Sequence, residues 1–578
     1  MTLEPIQTKL IALYGVERTP LILDRLLDII GSTASPTRAP LPLSERDVIL
    51  ITYGDQVRQP GETPLASLRS FLKSTIQGKI NTVHILPFYP YSSDDGFSVI
   101  DYYAVDPALG DWTNIHQLHQ DFRLMFDAVF NHISAKSAWF QAFLHGEAPY
   151  QDYFHIVDPN TDLSLVRRPR TLPLLTRFET ARGIQHVWTT FSDDQVDLKA
   201  DNPEVLLELI RVMLFYVQQG ADLIRLDAIA YLWKTIGTSC IHLEQTHLII
   251  QLMRDILDRV APSVLLITET NVPHTENVSY FGDGTNEAQM VYQFALPPLV
   301  LHTFHAGNTR RLADWAAQLE RVSDRATFFN FLASHDGIGV QPARGILSEA
   351  EIEALVELAQ AHGGFVSYKN NSDGTRSPYE LNITYFDAIT HPDVTAQNPA
   401  VACQRFICAQ AIMLAVVGVP GIYFHSLFGS RNDRGGVEET GRYRTINREK
   451  LDMDTLLAEL QNPDVIRSQV YNTYVKLLSA RTTEAAFHPL GYQKVLEVGD
   501  SVFGLERLAP DGEHRVVALH NVSGSPISID FPAGDALGWH DLMDGRQYEV
   551  SAAVVHVTLA PYQVAWLKPS KSRADGGD

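Results

Sequence analysis

Apolar runs recur along the chain at 48–53, 82–86, 124–130, 222–228, 264–270, 290–296, 327–334 and 421–427. Several of these eight runs are continuously apolar rather than alternating, the pattern of parallel strands covered on both faces. Between them, segments 64–76, 203–219, 242–260, 309–322 and 400–417 carry apolar residues at helical spacing. Pro203 stands where a first-turn proline is tolerated, with Asp201 or Asn202 as its cap. Eight strands alternating with helices predict an α/β protein, a (β/α)8 TIM barrel, with its chemistry at the C-terminal ends of the strands.

The same pattern divides the chain. Residues 1–45 read as an N-terminal helical extension and 46–482 as the catalytic barrel. Two connections exceed what a barrel needs, 133–200 after the third strand and 337–398 after the seventh. Insertions on the catalytic face shape the substrate pocket. Beyond 482 short alternating strands, such as 501–505, 515–520 and 553–559, predict a small all-β domain over 483–569. The polar tail, 570–578, is expected to be disordered.

Four predicted strands end in groups that apolar surroundings disfavour unless partnered. They are Asp127-Ala-Val-Phe-Asn-His132, Arg225-Leu-Asp-Ala228, Glu269-Thr-Asn271 and Ser334-His-Asp336. Four such endings in series predict one cavity that collects carboxylates, an arginine and two histidines. Arg225 and Asp227, two apart on a strand, face the same side. An adjacent guanidinium holds a carboxylate ionised, as a nucleophile requires; a lone Arg-x-Asp pair reads first as a structural ion pair closing the barrel. Glu269 follows an apolar strand, where desolvation favours the protonated acid that assists leaving-group departure. Asp336 supplies a third carboxylate, and His132 and His335 are natural donors to sugar hydroxyls. Three carboxylates without a cysteine or multi-histidine set suit glycoside chemistry rather than metal hydrolysis.

A net charge of −22, from 46 Lys and Arg against 68 Asp and Glu, excludes nucleic acid and anionic membrane as main partners. An anionic substrate would therefore need local arginine. Cys240, Cys403 and Cys408 indicate neither a disulfide framework nor a zinc site. The first residues lack the basic and apolar regions of a signal peptide. The longest apolar stretch, 411–424, is broken by Gly418, Pro420 and Gly421 and is too short to span a bilayer. A cytoplasmic protein is expected.

The four strand-end motifs resemble the catalytic regions of the α-amylase superfamily, and further blocks resemble its sucrose-phosphorylase branch. These are Ile51-Thr-Tyr-Gly-Asp-Gln56, Leu86-Pro-Phe-Tyr-Pro90 with Asp95-Gly-Phe, Arg168-Pro-Arg170, and Val187-Trp-Thr-Thr-Phe191 with Gln195-Val-Asp-Leu. Gly237-Thr-Ser-Cys240, Phe294-Ala-Leu-Pro-Pro298, His335-Asp-Gly-Ile-Gly339 and Arg444-Thr-Ile-Asn-Arg448 complete the set. The resemblance implies Asp227 as nucleophile, Glu269 as general acid and base, and Asp336 as transition-state stabiliser. It implies that Asp55, Arg225, His335 and Arg444 grip a glucosyl unit, with Phe191 against its ring and Gln195 in the same subsite. In that branch phosphate attacks a covalent β-glucosyl intermediate and yields α-glucose 1-phosphate. Arg168 and Arg170 are the implied phosphate ligands, since guanidinium matches phosphate oxygens; the plain alternative is a solvated basic turn.

On the acceptor side the chain departs from sucrose-cleaving members. Glu269-Thr-Asn271 stands where they read Glu-Val-His, Glu380 where they carry Gln, and Arg167 where a tyrosine precedes the Arg-Pro-Arg loop. Tyr231 is expected on the same side. The N-terminal extension and the segments Ser92–Phe97, Thr190–Gln195, Ile267–Pro273 and Asp373–Pro378 resemble glucosylglycerate phosphorylases most. That likeness implies a retaining phosphorylase acting on 2-O-α-D-glucosyl-D-glycerate, whose carboxylate Arg376 or Arg167 could pair. Sucrose, sucrose 6′-phosphate and glucosylglycerol are alternative substrates, and a hydrolase or transglucosidase is the alternative of another class. Asn131 occupies a position that helps bind calcium in some amylases, but nothing nearby completes an oxygen cage, so no cofactor or metal is expected. The expected partners are the α-glucoside, phosphate and α-glucose 1-phosphate, with the chain a monomer or homodimer.

Overall fold

A computed structural model describes residues 3–33, 42–169, 172–371 and 375–570. Eight parallel strands close a barrel in chain order. They are β1 (Ile49–Thr52), β2 (Thr82–Ile85), β3 (Arg123–Ala128), β4 (Ala221–Leu226), β5 (Leu265–Thr268), β6 (Met290–Tyr292), β7 (Thr327–Phe331) and β8 (Val419–Tyr423). Ile49 is in register with Thr82 on one side and with Gly421 on the other, which closes the cylinder. Nearly every strand residue is buried, as a sheet covered by helices outside and by its own side chains inside requires.

Three expected elements are corrected. The eighth strand lies two residues earlier than 421–427, and Phe424–Leu427 is a helical turn. Pro420 falls inside the strand opposite Asn330, and a Cβ on Gly421 would lie 2.2 Å from the ring of Phe329. The sixth strand ends at Tyr292, because Leu296-Pro-Pro298 opens a buried helix, Leu296–Ala306, with its prolines in the first turn. The helix expected over 309–322 is only Arg310–Ala316.

Two excursions rise from the catalytic face. The one after β3 contains a hairpin, Leu175–Thr180 with Gly183–Trp188, and the strand Gln195–Asp197, which pairs with His132–Ser134. The one after β7 contains an antiparallel sheet of Ile338–Gly339, Arg376–Asn382 and Phe365–Asn370. An eight-stranded antiparallel sheet, from Tyr492 to Pro569, follows the barrel with a core of its own. Most of the tail, 571–578, lies outside the described residues.

Helices α1 (Glu4–Tyr14) and α2 (Thr19–Ser32) lie against the barrel helices Glu244–Val260 and Pro203–Gln218. Lys9 Nζ is 2.6 Å from Asp255, and Tyr14 Oη donates to the Ala200 carbonyl at 2.7 Å. Among the described residues no helix is long and apolar enough to cross a membrane.

Candidate active site

The floor of the site is a charged pair facing across two strands. Asp127 on β3 and Arg225 on β4 are register partners, and their side chains form a close ion pair. His84 Nε2 on β2 stands 2.7 Å from the other Asp127 oxygen. Burial opposes ionisation of Asp127, but Arg225 and His84 outweigh it and hold the carboxyl below its usual range. The guanidinium lies 5.6 Å from the ring centre of Phe97 and 5.4 Å from that of Tyr292, so cation–π contacts fix its plane.

Arg225 reaches the chemistry from this anchored position. Its Nη1 is 2.7 Å from Asp227 Oδ1, whereas its Nη2 is 3.9 Å from Glu269 Oε2. Glu269 Oε2 also accepts the Ala228 N–H at 2.9 Å, from a residue with φ of +47°. Burial pushes both acids upward against the pull of Arg225. The charge of each acid disfavours the charge of the other. The direct ion pair with Arg225 favours the charged form of Asp227, and Glu269 lacks such a contact.

The third carboxylate has a different environment. Asp336 Oδ1 is 2.6 Å from Arg444 and 3.5 Å from His335 Nε2. Burial disfavours its charge, yet Arg444, His335 and Arg448 prevail and hold it well below the ordinary carboxylate range. Asn447 donates to the Asp336 carbonyl at 3.0 Å. A Cβ on the next residue, Gly337, would lie 2.5 Å from the Leu381 carbonyl, which explains the Asp-Gly sequence. His335 is stacked on Phe97 at 4.7 Å, and burial drives its ring down to about 3, so it is neutral.

Arg225, Asp227, Glu269, His335, Asp336 and Arg444 line an inner cavity of about 70 Å³ together with Phe191, Gln195, Asn271 and His132. It shares Asp94, Tyr379 and Arg444 with an outer chamber of about 780 Å³, whose lining includes Arg376 and Glu380.

The α-amylase catalytic-domain model matches residues 76–356. The chain is 51% identical over 542 residues to a glucosylglycerate phosphorylase of Spirochaeta thermophila, covering 92% of each protein. It is 50% identical to one of Allomeiothermus silvanus, covering 96% of each. The chain belongs to the α-amylase family. Among solved structures, sucrose 6F-phosphate phosphorylase from Thermoanaerobacter thermosaccharolyticum shares the fold at a TM-score of 0.73, with 24% identity and coverage of 89% of this chain and 99% of that one.

Several residues expected at the site are paired elsewhere in the fold. Asp55 does not line the inner cavity; it sits past β1 in ion pairs with Lys450 at 2.5 Å and Arg58 at 2.7 Å. Asp94 stands there instead, its Oδ2 accepting from Gln195 Nε2 at 3.2 Å. The acidic pair before Gly96-Phe97 was the available signal for it. Arg444 is spent on two carboxylates, since Glu380 also accepts from its Nε at 3.0 Å and Nη2 at 2.7 Å. Arg167 is neutralised by a two-point pair with Glu276 at 2.6 and 3.2 Å. Tyr231 packs edge-on against Phe191 with ring centres 5.5 Å apart. Exposed Arg168 donates to the Leu172 carbonyl, and Arg170 lies outside the described residues.

Asn131 belongs to a different cluster. Its Oδ1 accepts from Lys234 Nζ at 2.8 Å, and the same ammonium is 2.6 Å from Asp197. A buried ammonium thus stands among these oxygen atoms. Among the described residues no group of three or more His, Cys, Asp and Glu is arranged to hold a metal ion.

Proposed function

We propose that this chain is a retaining glucoside phosphorylase that cleaves 2-O-α-D-glucosyl-D-glycerate with phosphate. The observation that carries the reading is the division of charge between Asp227 and Glu269 by Arg225, joined to half-identity with glucosylglycerate phosphorylases over nearly the whole chain. An Asp227 oxygen attacks the anomeric carbon as the glycosidic C–O bond breaks, and Glu269 passes its proton to the departing glycerate oxygen. Asp336, kept anionic by Arg444, stabilises the positive charge that develops on the sugar. A phosphate oxygen then attacks the same carbon, the Asp227 ester breaks, and Glu269 recovers a proton from phosphate. Two inversions return the α configuration in glucose 1-phosphate.

Both glycerate and phosphate are anions entering a carboxylate-rich site, so cations at its mouth matter. Arg376 lines the outer chamber and is exposed. Lys369, half-buried on the neighbouring strand, has Arg344 and Arg167 as its charged neighbours, and burial and these cations depress its ammonium. Arg168 and Arg170 belong to the phosphate side of the same proposal. The cytoplasmic location and a monomeric or dimeric state are parts of it too, the latter read by light scattering.

The test is phosphate release from α-glucose 1-phosphate with D-glycerate, glycerol, fructose, fructose 6-phosphate or water alone. Release with D-glycerate far above the rest is expected, and Arg376→Ala should weaken glycerate use while sparing glycerol. Release with another acceptor changes the substrate, and release with water alone makes the protein a hydrolase.

A further inference from the structure

The turn that carries Asp94 into the glucosyl cavity is strained. Asp94 and Asp95 are successive non-glycine residues in the left-handed region, with φ of +53° and +49°. Such residues persist where surrounding structure over-determines them, and they cluster at functional sites. One restraint is steric: Gly96 has φ of +109°, and a Cβ there would lie 2.7 Å from the Pro87 carbonyl. A second is polar, because Ser92, Ser93 and Ser98 all donate to Asp194 beside Gln195.

The third restraint is Asp95 itself. Its carboxylate forms a close ion pair with buried Arg448 and is 3.3 Å from Arg442. Arg448 has a competing partner, since its Nη2 lies 3.8 Å from Asp336 Oδ1. Its Nε donates to the His335 carbonyl at 2.8 Å, so it cannot withdraw from the site. Only its terminal nitrogens are free to choose between carboxylates.

We infer that Asp95 is a positioning residue for the glucosyl site: by engaging Arg448 it locks the strained turn that presents Asp94 to the sugar and keeps a second guanidinium off Asp336. The inference rests on the proposed glucosyl chemistry. Without the Asp95 charge the turn loses its ionic restraint, and Arg448 turns to Asp336. The sugar cavity then deteriorates; because Asp95, Arg442 and Arg448 also line the outer chamber, binding of the sugar alone is the decisive readout.

Asp95→Asn keeps the side-chain shape and tolerates a left-handed conformation but removes the charge. Asp95→Gly also removes the strain. Both should raise KM for α-glucose 1-phosphate about tenfold or more, as loss of a charged hydrogen bond does, and leave the melting temperature nearly unchanged. Calorimetric titration of D-glucose should show the same weakening, and it needs only the sugar cavity. If the unmutated enzyme turns over no α-glucose 1-phosphate, the proposed reaction fails while the glucose titration still decides the role of Asp95. Unchanged glucose affinity in both variants overturns the inference. So does a uniform loss in kcat and KM with a lowered melting temperature, the mark of a structural role alone.

Discussion

Asp227 and Glu269 are both buried acids at the ends of neighbouring strands, and what separates them is the reach of one guanidinium, 2.7 Å against 3.9 Å. Asp227→Asn is nearly isosteric but a poor nucleophile, so kcat should fall at least about a thousandfold with an unchanged melting curve. Glu269 must be protonated to assist departure, and its raised pKa extends that form upward. For the glucoside, kcat/KM should therefore fall as pH rises through the raised value, and Glu269→Gln should abolish this limb. Linkage has the same sign: the folded state binds the proton more tightly than the unfolded chain. The stability from Glu269 is thus complete below the ordinary glutamate range and is lost as pH rises through the folded value. Denaturant unfolding across pH, with Glu269→Gln as the flat control, checks this.

At the scale of elements, the site depends on how the first excursion is pinned to the barrel. Lys234 follows β4, Asn131 follows β3, and Asp197 belongs to the excursion's last strand; the three meet without solvent. Lys234→Met would leave the Asp197 carboxylate buried with only the Thr190 and Asn131 donors. A loss of about 3–5 kcal/mol is expected, measured by urea unfolding, and Asp197→Asn in the same chain should recover part of it. The register of β8 is also decided by contacts between elements. The apolar stretch from Val416 to Phe424, interrupted by Gly418, Pro420 and Gly421, accommodates several strand positions, and the approach of Gly421 to the Phe329 ring selects one.

Across the whole molecule, buried Arg507 ties the C-terminal sheet to the barrel, and buried Arg481 holds segments of the barrel to one another, both by donating to backbone carbonyls. Arg507 donates to the carbonyls of Ala415 at 2.5 Å, His488 at 2.9 Å and Tyr492 at 3.2 Å. Arg481 donates to those of Leu414, Glu45 and Gly418 at 2.6 to 3.2 Å. Burial lowers Arg507 to about 9 and Arg481 to about 10. Arg507→Met should remove the donor from the buried Ala415 carbonyl, at about 1–3 kcal/mol. Calorimetry should then show a broader or split unfolding transition than the unmutated chain gives, as the sheet uncouples from the barrel.

The sequence by itself determined the barrel and the residues at its mouth, because both are written locally. Continuous apolar runs mark buried parallel strands, and charge at their ends, at Asp127, Arg225, Asp227, Glu269 and Asp336, has nowhere to go but a shared cavity. Only the tertiary structure decided how those charges are distributed. A guanidinium's partner is set by which carboxylate the fold brings within about 3 Å, and sequence spacing carries no such distance. For that reason Asp55, attractive in its motif, turned out to be held by Lys450, while Asp94 was brought to the cavity by a left-handed turn. For the same reason Arg167 is spent on Glu276, a residue 109 positions away.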